Sequence, residues 1–149
     1  MTQINRSAIV SFSAKEMYRL VADIESYPEF LPWCGGTKIL SKDSDELRAS
    51  IDIAYKGVNK SFTTVNREIE GKRIEMSLVE GPFTKLHGIW EFTELDSDAS
   101  KVSLNLEFEF SNRLIAMTVG KVFSSIADTL VDAFCQRAEQ VYTDAGARK

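Results

Sequence analysis

Between Thr37 and Phe110 the apolar residues recur at every second position. In "VSLNLEFEF", Val102, Leu104, Leu106, Phe108 and Phe110 fall on one face, and Ser103, Asn105, Glu107 and Glu109 on the other. Leu47, Ala49, Ile51, Ile53 and Tyr55 repeat the pattern, as do Ile74, Met76 and Leu78. A period of two with one apolar face predicts antiparallel strands that bury one side and wet the other. Turn signals separate the runs: "SKDSDE" at 41–46, Gly57, Gly71, "EGPF" at 80–83 and "DSDAS" at 96–100. Six strands are expected here, and a seventh from Gln3 to Val10.

Two stretches change to helical spacing. Met17, Leu20, Val21 and Ile24 follow Ser13 and Glu16, which stand three apart as a capping box, with Phe12 and Met17 at the staple positions. Near the C-terminus, Ile115, Val119, Val122, Ile126, Leu130, Phe134, Ala138 and Val141 step by three or four after an N-cap at Asn112 or Ser111. Leu114, Met117, Phe123, Ala127 and Val131 widen that stripe. A helix of roughly 30 residues would be about 45 Å long, and the apolar sheet face is the only partner broad enough for it. The fold class is therefore α+β, a curved antiparallel sheet of about seven strands wrapped on a long C-terminal helix. Where helix and sheet part, a cavity is expected, closed by whatever covers its mouth.

The segment "YPEFLPWCGG", 27–36, fits neither period. Pro28 and Pro32 limit any helix in it to about one turn. Tyr27, Phe30, Leu31 and Trp33 supply apolar area, and Gly35 and Gly36 a soft joint. This is the expected lid, or else a fixed plug. The expected cavity wall is Ile51, Ile53, Phe62, Met76, Leu78, Trp90, Phe92, Leu104, Leu106 and Phe108 from the sheet, with Phe123, Ile126, Leu130, Val131 and Phe134 from the helix. Tyr18, Thr64, Tyr55, Asn66 and Lys85 are candidate hydrogen-bond partners for a ligand.

A chain of 149 residues with 44% hydrophobic and 27% charged residues is expected to be one globular domain, its core about 3–142. No uninterrupted apolar run nears the ~18 residues of a bilayer span, and no secretory pattern opens the chain, so a cytoplasmic location is expected. A net charge of −4 argues against a DNA-binding role. A local exception lies between Tyr55 and Arg73, where Lys56, Lys60, Arg67, Lys72 and Arg73 outnumber Glu68 and Glu70. Neither catalysis nor a metal site is expected. His87 is the only histidine, so no serine–histidine relay or histidine-rich metal site can be assembled. By strand parity it points away from Leu86, Gly88 and Trp90. Near Cys34 the sequence offers Glu29 and no histidine, and Cys34 and Cys135 read as reduced thiols.

The order of elements resembles the helix-grip fold of START-like domains. "YPEFLPWC", "EGPFTKLHGIWEFTEL" and "LEFEFSNRLI…GKVF" are similar to the polyketide cyclase/dehydrase-like family that joins coenzyme Q-binding START-domain proteins and ribosome-association toxins of the RatA type. The likeness runs from Ile4 to about Tyr142. It implies a non-enzymatic protein that needs no cofactor and carries a hydrophobic small molecule, ubiquinone foremost, in support of respiration, with transient membrane contact. It implies as the alternative a toxin that binds the large ribosomal subunit and blocks subunit joining, using exposed Lys56, Lys60, Arg67 and Lys72. Some START-like relatives are cyclases, which makes cyclase-like activity a lesser alternative.

Overall fold

The computed structural model describes residues 2–143. Its elements are β1 (Thr2–Val10), α1 (Ala14–Ala22), a 3₁₀ segment (Ile24–Glu29), β2 (Cys34–Lys42), β3 (Glu46–Tyr55), β4 (Val58–Ile69), β5 (Arg73–Glu80), β6 (Phe83–Asp96), β7 (Ala99–Phe110) and α2 (Arg113–Ala138), which ends in a π turn (Glu139–Thr143). The seven strands form one sheet in the order β1-β7-β6-β5-β4-β3-β2. Every pairing is antiparallel, and the first strand lies beside the last.

Irregularities in the ladders bend the sheet. The register shifts between Cys34 and Gly36 and between Ile39 and Ser41 on β2, at Val79 on β5 opposite Thr63 and Thr64, and twice along β6, at Phe83/Lys85 and Glu94/Asp96. Each extra residue opposes a single partner and bends its strand. The tight β3–β4 connection is a two-residue turn with Lys56 at φ 49° and Gly57 at φ 81°, the left-handed pair that matches strand twist in a hairpin.

α1 starts where the capping box predicts. Ser13 Oγ accepts from the Glu16 N–H at 3.1 Å, and Glu16 Oε1 accepts from the Ser13 N–H at 3.0 Å. Ala14, Met17, Tyr18 and Val21 form its buried side. Ile24 belongs to the 3₁₀ segment instead of the helix. Asn112 is the cap of α2, its Oδ1 accepting from the Ile115 N–H at 2.9 Å.

α2 proper has 26 residues, shorter than the expected 30. Its inward side is Val119, Gly120, Phe123, Ile126, Ala127, Val131, Phe134 and Ala138. Leu114 and Met117, expected in the stripe, are 68% and 71% exposed. They lie on the first turns, ahead of Val119, the first buried residue of the helix. By length and apolar composition Arg113–Tyr142 is the one helix among the described residues that could cross a bilayer, but its inward side is packed on the sheet.

Candidate functional site

Residues directly opposite on neighbouring antiparallel strands share a face. One such row crosses the concave face of the sheet: Leu47, Asn66, Met76, Gly88, Leu106 and Ile4. Gly88 brings no side chain to it, and the side chains of Met76 and Leu106 close over that place. A Cβ there would stand 2.7 Å from Met76 Cε and 2.9 Å from Leu106 Cδ1. Under this row, sheet and helix separate around a cavity of about 70 Å³. A dry cavity near 150 Å³ holds benzene, so an aromatic ring enters this one only if the wall yields.

The sheet contributes Ile51, Ile53, Phe62, Thr64, Asn66, Met76, Leu86, Trp90 and Leu106 to the wall. Phe123, Ile126, Ala127, Leu130 and Phe134 come from α2, and Ile24, Tyr27 and Trp33 from the covering segment. Five residues expected in the wall lie outside it. Leu78 follows Ser77, where β5 stops pairing with β6. Phe92 is covered by α1, its ring edge-on to Tyr18 at 5.8 Å. Leu104 is fully buried in solid core. Phe108 is enclosed by Phe83, Phe110 and Phe123, the last at 4.8 Å. Val131 is buried on α2 but is also absent from the wall. Leu86, Ala127 and Ile24 also line the cavity without having been expected there. Leu86 and Ala127 sit in phase with expected wall residues, at strand and helix spacing, whereas Ile24 reads as part of the α1 stripe.

The cover is held at several points. Tyr27 is buried and donates its hydroxyl hydrogen to the Val21 carbonyl; burial pushes its pKa far up, so the phenol stays protonated. The Leu31 N–H donates to the Tyr27 carbonyl at 2.9 Å, and the Ala54 N–H to the Trp33 carbonyl at 2.8 Å. Of the four expected lid residues, Tyr27 and Trp33 face the cavity. Leu31 is buried away from it. Phe30 packs edge-on to Phe134 at 5.4 Å beneath the Arg137 guanidinium, 4.9 Å from its ring centroid. Gly35 and Gly36 are not a joint, because both belong to β2. A Cβ on Gly35 would meet Ala54 Cβ at 2.9 Å, so the position is one of close strand approach.

Outside the cover lies an open groove of about 450 Å³ between Phe30–Trp33, Tyr55 and one side of α2. Trp33 and Ile126 border both groove and cavity. They are the partition between the hollow and the surface.

Of the candidate hydrogen-bonding groups, Thr64 and Asn66 reach the cavity wall. They are 3% and 4% exposed, and the Thr64 hydroxyl donates to Asn66 Oδ1 at 2.8 Å. Tyr55 lines the outer groove. Lys85 pairs with Glu107 at 3.6 Å. Tyr18 lines a separate charged groove with Arg19, Lys42, Glu68 and Glu70; burial raises its pKa to about 12.

His87 stands on the face opposite Leu86, Gly88 and Trp90, with Nε2 2.9 Å from Glu75 Oε2. Burial pushes the Cys34 thiol up, and its Sγ lies 3.6 Å from the Gly36 carbonyl. Among the described residues no group of three or more His, Cys, Asp or Glu is placed to hold a metal ion. The four basic residues do not form one patch. Lys56 and Lys60 stand at the β3–β4 hairpin, Lys56 5.3 Å over the Tyr55 ring. Arg67 is seven residues along β4, about 23 Å away at strand rise, and pairs with Glu46 at 3.1 Å. Lys72 lies beyond it in the β4–β5 turn.

The family model described as polyketide cyclase / dehydrase and lipid transport matches residues 10–135. The ribosome association toxin RatA of Vibrio cholerae is 49% identical over 142 residues, 95% of this chain and 99% of that one. The mitochondrial coenzyme Q-binding protein COQ10 homolog B of Xenopus laevis is 26% identical over 144 residues, 94% of this chain and 59% of that one. The crystal structure of the ZhuI aromatase/cyclase from Streptomyces sp. R1128 superposes with a TM-score of 0.83 at 15% identity, over 93% of this chain and 94% of that one. At that identity the likeness speaks to fold alone, and it agrees with the helix-grip arrangement of sheet and helix.

Proposed function

The chain belongs to the polyketide cyclase / dehydrase and lipid transport family, and on that premise we propose that it is a non-enzymatic binder of a hydrophobic ligand, ubiquinone foremost, held between sheet and α2 in support of respiration. The observation that carries this reading is the cavity itself. It is walled by apolar and aromatic side chains, contains one buried polar pair, and is shut from an open groove by Trp33 and Ile126. An isoprenoid quinone needs an apolar enclosure and a hydrogen bond or two for its carbonyls. The ring enters when Trp33 and its segment swing toward the groove, and the tail follows along α2. We place this activity in the cytoplasm, with transient membrane contact for loading. Solvent extraction of freshly purified protein followed by mass spectrometry tests the reading. Quinone or another prenyl lipid in the extract is the expected result. Protein that is empty and also fails to take up added quinone would refute it.

A second reading is favoured by the 49% identity to a protein named for ribosome association. In that reading the chain binds the large ribosomal subunit through its outside, with Lys56 and Lys60 at the hairpin meeting phosphates. The two readings use different surfaces and are compatible. Changing Lys56 and Lys60 to Glu is expected to weaken low-salt co-sedimentation with large subunits without altering lipid content. Absence of co-sedimentation by the unaltered protein would remove this reading.

A further inference from the structure

We propose that Asn66, oriented by Thr64, is the recognition point for a carbonyl oxygen of the bound ligand, so that the cavity selects carbonyl-bearing rings over hydrocarbons of the same shape. The proposal rests on the reading of the cavity as a hydrophobic-ligand site and narrows its ligand class.

Away from the cavity, the inward polar residues Ser100 on β7 and Arg6 on β1 are tied to Phe12 and Asp128; at the cavity, the polar inward residues are on β4. Its inward positions run Phe62, Thr64, Asn66 and Glu68. Glu68 opens onto the charged groove beside α1, whereas Thr64 and Asn66 are enclosed. In the row that crosses the cavity roof, Asn66 is the one polar member beside Leu47, Met76, Gly88, Leu106 and Ile4.

A buried amide at such a place is costly unless each of its groups is paired. Half of the amide is accounted for, because Oδ1 accepts the Thr64 hydroxyl hydrogen at 2.8 Å. That bond fixes which way the amide faces and leaves the N–H₂ as the free end. Among the described residues no hydrogen bond from Asn66 Nδ2 is present and no fully enclosed side-chain nitrogen or oxygen lacks a partner, so Nδ2 retains open surface, in a side chain that borders the cavity. The cavity is therefore offered the Nδ2 donor, while Oδ1 already has one of its two lone pairs engaged by Thr64. A carbonyl oxygen only accepts, so it matches. A hydrocarbon fills the same space but leaves the donor unpaired, which is the asymmetry by which a polar group rejects a ligand lacking its complement.

The test is a competition titration in which N-phenyl-1-naphthylamine, a fluorescent apolar probe, is displaced from the protein by 1,4-naphthoquinone or by 1,4-dimethylnaphthalene. The two competitors share ring and outline and differ in having oxygens or methyl groups. The unaltered protein is expected to bind the quinone about tenfold more tightly, one neutral hydrogen bond's worth of discrimination. Asn66→Leu is expected to bring the two competitors level while the probe still binds. Thr64→Val with Asn66→Leu removes both partners of the buried bond at conserved volume and serves as the variant that folds if the single change does not. Equal competition in the unaltered protein, or an undiminished quinone preference in both variants, overturns the proposal while leaving the cavity as a ligand site. Failure of probe and both competitors to bind the unaltered protein overturns the reading beneath it.

Discussion

α2 meets the sheet in two different ways within about three turns. At Phe123 the interface is filled. Phe83, Phe108, Phe110 and Phe62 surround that ring at centroid distances of 4.9, 4.8, 6.0 and 6.2 Å, mostly edge to face. From Ile126 to Leu130 the interface is hollow, with Ile126, Ala127 and Leu130 bordering the cavity; at Phe134 the rings of Trp90, Tyr27 and Phe30, each at 5.4 Å, close it again. Both regions are apolar and both are covered by the same helix. What separates them is what the helix presents. A phenylalanine ring sits among phenylalanines at 123, while Ala127 and Leu130 border the hollow. Stability resides at the filled end, and capacity for a guest in the hollow.

This contrast predicts effects of very different size. Phe108→Ala, at the filled end, removes a fully buried ring and is expected to cost about 3–5 kcal/mol, read by urea unfolding. A loss as small as that of a surface substitution would erase the distinction between the regions. Ala127→Val, in the hollow, adds two methyl groups where space exists. It is expected to change stability by less than about 1.5 kcal/mol yet to cut uptake of an apolar probe severalfold. Unchanged uptake would place the guest elsewhere.

The smallest effect concerns the polar end of β4. Burial raises the Glu68 pKa above its ordinary 4.5, with Lys42 pulling the other way. A carboxyl whose folded pKa is raised adds stability below its unfolded pKa and loses it as pH rises through the folded value. Glu68→Gln is therefore expected to raise the melting temperature slightly at pH 7, with the difference closing by about pH 4, where the native carboxyl is protonated in both states. A larger gain in acid than at neutral pH would reverse the sign. Probe uptake should not change, because Glu68 borders the other groove.

Much of this was legible in the residues. Strict alternation announced the strands, and Ser13, Glu16 and Asn112 marked where the helices begin. Alternation tells which face a residue takes but not where along the strand the helix crosses it. That is why Phe92, Leu104 and Phe108 shared the inward parity of Trp90 and Leu106 yet proved to be packed core. Leu114 and Met117 kept helical spacing on turns that precede the sheet contact. Gly35 and Gly36 read as a joint because a pair of glycines signals freedom, whereas a strand approaching Ala54 requires the same absence of side chain. Asn66 and Thr64 were visible as polar residues at inward positions. Their bond to each other became apparent only with the strand in register. The four basic residues looked like one cluster in sequence, but β4 is extended and carries its two ends far apart.

The central claim is that the hollow admits a ring by displacing its cover, and the two tryptophans report on it directly because Trp33 and Trp90 both line the cavity. The decisive measurement is tryptophan emission during titration with a short-chain ubiquinone. The account predicts quenching that saturates at one quinone per chain and requires severalfold more quinone in Ala127→Val. Quenching that rises without saturation, equally in both proteins, would show that the quinone meets the tryptophans only by collision and would contradict the account.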